Sequence, residues 1–158
     1  MTNIDHKRYF YLLEKSQQLE TKDLSLYDKN IVEYKELLAY RSISFKQITY
    51  QDRQKYISLI EKYINNEVNS PLLRFRFFQL QRDNRNAHKD LEKNFEQLSN
   101  VLISSKSDEF ASIIQDSFAA CEALKSEDEP EEAWGITEVQ FRVCLEEALS
   151  QMQNLNTK

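Results

Sequence analysis

Two histidines and two cysteines, His6, His88, Cys121 and Cys144, are the side chains best suited to act as base, nucleophile or soft metal ligand near neutral pH, and each stands alone in the sequence. A structural zinc site needs its ligands in closely spaced pairs, which these four do not form. A carboxylate-bridged di-metal centre in a helical bundle needs Glu-x-x-His motifs on two helices; here Asn3 and Arg85 occupy the positions three before the histidines. His6 lies near the chain terminus, and His88 follows a polar stretch beside Lys89 and Asp90, so neither is read as catalytic. A cysteine nucleophile needs an activating base close by. Cys121 and Cys144 both fall on apolar helical stripes, and two inward-facing thiols rather than a disulfide are expected. Gly135 is the single glycine, which removes phosphate loops, dinucleotide fingerprints and nucleophile elbows, all of which need several glycines. The expectation is a non-enzymatic protein with no metal and no cofactor.

Charge is the remaining resource. The 158 residues carry 21 Lys and Arg against 26 Asp and Glu, net -5, the wrong sign for a general nucleic-acid binder. The distribution is uneven: Met1 to Asn94 holds 17 basic and 13 acidic residues, Phe95 to Lys158 only 4 and 13. The strongest local feature is acidic: Glu122, then Glu127, Asp128, Glu129, Glu131 and Glu132, followed by Trp134. A plain reading makes it a solubilising loop. A functional reading makes Glu127, Asp128, Glu129, Glu131, Glu132 and Trp134 the contact residues for a basic protein partner, since carboxylates steer cationic partners and a tryptophan supplies an anchor. A basic run, Arg74, Arg76, Arg82, Arg85, His88, Lys89 and Lys93, is interleaved with Phe75, Phe77 and Phe78. Phosphates would suit it, but the phenylalanines stand at core spacing, so nucleic acid is not expected. A solvated face, pairing with an acidic surface, or docking of the Leu72 to Lys93 region as a subunit of a larger assembly are the alternatives.

The elements that must position these groups are helices, because one glycine and two prolines leave little for tight hairpins. Apolar residues recur at helical spacing from Asp5 to Glu20, from Tyr27 to Tyr40 with Ser25 as cap, and from a Thr49 cap to Asn65. Arg41 to Ile48, where Ile43 and Phe45 alternate with serines, reads as an extended link. Ser70-Pro71 suits a helix start, and Leu72, Leu73, Phe75, Phe77, Phe78 and Leu80 read as the centre of the core. Arg82 to Ala87 fits a turn or a solvated helix equally well. Leu91, Phe95, Leu98 and Leu102 form a further stripe. A helix opened by Ser107 carries Phe110, Ile113, Ile114, Phe118, Cys121 and Leu124 on one face. After the acidic loop, Thr137 and Gln140 have capping-box spacing ahead of Phe141, Cys144, Leu145, Ala148 and Met152, with fraying after Gln153. Aspartate at Phe75, Phe78, Ile114 or Phe118 is expected to unfold the protein.

These elements predict an all-α, antiparallel helical bundle. It is read as one domain, 1–158, with residues 1–48 a helical N-terminal extension and 49–153 a four-helix core. No stretch approaches 18 uncharged apolar residues and the opening residues lack a signal-peptide pattern. A soluble intracellular protein, in a bacterial cytoplasm or an organelle such as a plastid, is therefore expected.

The stretch YISLIEKYINNEVNSPLLRFRFFQL, an acidic loop, and then AWGITEVQFRVCLEEALSQM resemble the bacterial self-protective colicin-like immunity family of the colicin D type, over about residues 56–152. The shared features are a short amphipathic helix, a small polar turn and a Phe-rich helix, then an acidic loop, an Ile-Thr-Glu cap and a final helix. The resemblance implies an antiparallel four-helix bundle that binds a basic nuclease domain and blocks its active site with acidic side chains.

Overall fold

The structure is a computed structural model that describes residues 4–94, 96–97, 104–126, 128–130 and 134–157. The described residues form seven helices and no strand: α1 (His6–Glu20), α2 (Leu26–Lys29), α3 (Ile31–Gln51), α4 (Arg53–Ile64), α5 (Ser70–Lys93), α6 (Ser107–Ala123) and α7 (Glu138–Thr157). The fold is all-α, as the periodicity predicts. Its contacts divide it into two compact units, one of residues 1–48 with 84–105 and one of 49–83 with 106–158.

In the first unit, α1 begins where the Asp5 carboxylate accepts from the Arg8 amide at 3.0 Å. Tyr9, Leu12 and Leu13 on α1 are buried with Leu26, Leu37 and Tyr40, and Leu91 of α5 packs against them. Polar ties surround this core. Arg8 donates through Nε and Nη2 to the two oxygens of Glu36 at 2.8 and 2.9 Å, and Lys15 reaches Glu33 at 2.6 Å. Ser25 caps α2 as expected, accepting from the Asp28 amide. The helix then breaks at Asn30, whose side chain accepts from the Glu33 amide and starts α3.

The extended link expected over Arg41 to Ile48 is instead the middle of α3. Tyr40, Ser44, Gln47 and Ile48 are all buried, a helical recurrence that the alternation of Ile43 and Phe45 masks. Thr49 is thus inside a helix rather than capping one, and the chain restarts at Arg53 after Asp52.

The second unit is a bundle of α4, the first half of α5, α6 and α7. Arg53, at the start of α4, donates to Asn156 near the end of α7. Tyr63, at the end of α4, donates to Glu138 at the start of α7, so these two helices run antiparallel. Tyr56, Ile60, Leu73, Phe77, Phe110, Cys121, Phe141, Leu145 and Met152 fill the centre. Tyr56 meets Phe77 edge to face, 5.6 Å between centroids. Each such apolar side chain contributes roughly 1.5–3 kcal/mol by leaving water.

Several local expectations change here. Asn69 caps α5, accepting from the Leu72 amide at 3.0 Å, because the Ser70 hydroxyl is turned to Glu138. The Phe-rich run is not buried all round: Leu73 and Phe77 are inside, whereas Leu72 is exposed and Phe75 is 66% exposed. Arg82 to Ala87 continues α5 without a turn. Ser107 opens α6 as expected, buried as its first residue, with Asp108 and Glu109 in the first turn. Cys144 is exposed, so only Cys121 is an inward thiol. The reciprocal Thr137–Gln140 box forms as expected, at 2.9 and 3.2 Å. Helix α7 runs to Thr157 with Leu155 buried, where fraying was expected. Phe95, Leu98 and Leu102 lie outside the described residues. No helix among the described residues is long and apolar enough to cross a membrane.

Candidate functional site

The acidic segment joins α6 to α7 and leaves the second unit through a narrow base. The Ile136 amide donates to the Ala123 carbonyl at 2.8 Å, and the Lys125 amide donates to the Ile136 carbonyl at 2.9 Å. These bonds close a parallel bridge between Leu124 and Ile136. Gly135 makes the approach possible: its φ is +132°, and a Cβ there would lie 2.5 Å from the Ala123 carbonyl oxygen. Inside the loop the Glu129 amide donates to the Ser126 carbonyl at 3.2 Å. The chain therefore leaves and re-enters the bundle at one point.

Beyond this base, Asp128 and Glu129 are exposed, as is Glu122 at the end of α6, and Trp134 is 86% exposed. Glu127, Glu131 and Glu132 of the expected contact set lie outside the described residues. Within the set, the structure places Asp128, Glu129 and Trp134 on one connection, open to solvent.

An open cleft of about 860 Å³ adjoins the connection, bounded by the α4–α5 turn and by Arg74, Lys125, Asp128, Glu138 and Arg142. Its floor is a hydrogen-bonded clamp. The Glu138 carboxylate accepts from the Tyr63 hydroxyl on one oxygen and from the Ser70 hydroxyl on the other, both at 2.8 Å. Burial, reinforced by that carboxylate, pushes the Tyr63 phenol above its ordinary range. Arg142 donates to the Asn66 side chain and the Ile64 carbonyl, pairs with Glu146 at 3.3 Å and lies over the Tyr63 ring. Arg74 keeps a buried Nε without a hydrogen-bond partner among the described residues. Glu138 and Arg142 are thus occupied in tying α4, α5 and α7 together. The arrangement supplies a shaped, fixed surface next to an acidic, aromatic loop.

The remaining candidate groups are elsewhere. Cys121 is buried, and burial pushes its thiol up to about 12. No group of three or more His, Cys, Asp or Glu side chains among the described residues could hold a metal ion. His88, expected on a polar stretch, is 7% exposed in the first unit. Its Nδ1 lies 3.2 Å from Glu92, its Nε2 lies 3.4 Å from the Tyr9 hydroxyl, and Arg41 holds the same Glu92. The His88-x-x-x-Glu92 spacing, which sets both side chains on one face of α5, is the trace this network leaves in the sequence.

Compared with protein-family models, with curated proteins and with solved structures, the chain matches none.

Proposed function

We propose that this chain is a non-enzymatic helical binding protein that presents the acidic α6–α7 connection and Trp134 to a basic protein partner. The observation that carries the reading is Trp134, 86% exposed on a connection pinned at its base by Gly135 and two backbone hydrogen bonds. A large aromatic left in water costs solvation, and such residues supply binding anchors when a partner covers them. Clustered carboxylates around it raise the rate of encounter with a cationic surface. The resemblance to colicin-like immunity proteins makes the cationic catalytic domain of a nuclease the first partner to try, with the carboxylates standing in for substrate phosphates.

The test is calorimetric titration of the chain with the catalytic domain of a colicin D-type nuclease, alongside an assay of RNA cleavage. E129K/E131K/E132K is expected to weaken association about tenfold or more and to flatten its salt dependence. Trp134→Ala is expected to cost about 2 kcal/mol of binding. Association with this or another basic partner that both variants leave unchanged removes the proposal.

A second reading, an assembly subunit that docks through α5, is favoured by one observation, the exposure of Phe75 beside Leu72. It expects Phe75→Ser to abolish assembly while leaving the chain folded. A chain that sediments as a monomer and enters no complex in its own cell counts against it.

A further inference from the structure

The basic run from Arg74 to Lys93 is divided between the two units. Arg74 borders the cleft of the second unit. Arg85, His88 and Lys89 line an open groove in the first unit, about 510 Å³ in volume, faced by Leu38, Arg41 and Phe45 of α3. That volume is within the range of small-ligand sites.

The groove's charges do not balance. Glu92 is the one carboxylate on its lining, and it is already taken: Arg41 Nε donates to both of its oxygens, at 3.2 and 3.0 Å, and His88 Nδ1 lies 3.2 Å away. Arg85 and Lys89 are left over. They stand four residues apart, hence on the same face of α5, and are exposed. No ion pair holds either of them among the described residues. The rest of the lining is Leu38, Ser42 and Phe45 of α3, with the Phe45 ring edge-on to His88 at 6.1 Å.

We propose that this groove binds a small organic anion, a phosphate or carboxylate carried on a flat apolar body. The anionic oxygens take the Arg85 guanidinium, which presents a fork of donors, and the Lys89 ammonium. The body lies against Phe45 and Leu38. A groove of this volume suits a small ligand rather than a long polyanion.

Phenyl phosphate titrated into the full chain, followed by the ring signals of His88 and Phe45, tests this. Saturable binding is expected. Inorganic phosphate, with the charge but no body, should bind about tenfold more weakly, and benzyl alcohol, with the body but no charge, should not saturate. Benzoate in place of phenyl phosphate distinguishes a carboxylate ligand from a phosphate one, and the tighter of the two identifies the class. R85A/K89A changes two exposed side chains and should keep the helical signal of the parent while losing about tenfold or more in affinity. No saturation by either probe, equal affinity in the double variant, or a single-stranded oligonucleotide that binds through the same two residues more tightly than either probe would overturn the proposal.

Discussion

The Nδ1 of His88 lies 3.2 Å from Oε1 of Glu92, one turn further along α5. The carboxylate favours the imidazolium, but burial opposes it more strongly, so the His88 pKa falls below its ordinary value of 6.5. The folded chain then holds His88 neutral, with Nδ1–H donating to Glu92 and Nε2 facing the Tyr9 hydroxyl. Unfolded His88 binds a proton more readily than folded His88, so stability rises with pH across the window between the folded and unfolded values. The contribution is complete above about pH 6.5 and is lost as pH falls below it. Glu36, held below the usual carboxylate range by Arg8, adds its own loss only at lower pH. Urea unfolding from pH 8 to pH 5 should show the first limb, and His88→Gln should flatten it at a cost of about 1 kcal/mol at pH 8. A slope unchanged in His88→Gln would assign it to another group.

Phe75 and Phe77 are two residues apart on α5 and in opposite environments, one 66% exposed and the other fully buried. Phe77→Ala removes the ring packed against Tyr56 and is expected to cost about 3–5 kcal/mol. Phe75→Asp is expected to change stability by no more than about 0.5 kcal/mol, contrary to the reading that places every phenylalanine of this run in the core. Thermal unfolding of the two variants side by side measures the difference.

That contrast shows where the sequence is informative. The Thr137–Gln140 box is legible because both partners lie within one turn. The choice of Asn69 over Ser70 as the α5 cap is not, since it depends on Glu138, 68 residues away, recruiting the Ser70 hydroxyl. Three phenylalanines in four positions cannot share one helical face, so packing decides which is left outside. The buried state of His88 depends on Tyr9, 79 residues distant, and its polar neighbours in sequence say nothing of it. The α6–α7 connection is legible as surface from its charge, whereas its pinned base is not, because a backbone bridge leaves only Gly135 as a trace.

Glu138 gathers hydrogen bonds from α4 and α5 at once. Glu138→Ala leaves the Tyr63 and Ser70 hydroxyls without their acceptor and is expected to cost about 1–3 kcal/mol. Glu138→Gln keeps an acceptor but removes the charge, so Tyr63 should ionise at lower pH than in the parent while staying above the ordinary tyrosine value through burial alone. Ultraviolet difference titration of the two proteins checks the ordering, and an unchanged Tyr63 titration in Glu138→Gln would show that burial acts without the carboxylate.

Gly135 carries the geometry of the loop base. Any side chain there must accommodate φ of +132° and a Cβ 2.5 Å from the Ala123 carbonyl oxygen. Gly135→Ala is expected to cost about 1–3 kcal/mol and to loosen the connection before the bundle. The loosening would appear as faster hydrogen exchange at the Lys125 and Ile136 amides. Unaltered exchange at both amides would mean that the bridge does not depend on this glycine.

The two thiols should separate cleanly in reactivity, because the thiolate is the nucleophile and the two sites differ in exposure. Cys144 stands in solvent on α7. Cys121 lies in the core, where burial pushes its thiol up to about 12 and so disfavours the reactive thiolate at pH 8. A disulfide-exchange reagent is therefore expected to label one thiol per chain quickly in the native protein and the second only as fast as the bundle opens. Cys144→Ser should abolish the fast phase and leave the slow one, while Cys121→Ser should do the reverse. Two fast thiols in the native protein would mean that the helix pair around Cys121 opens far more often than its packing implies.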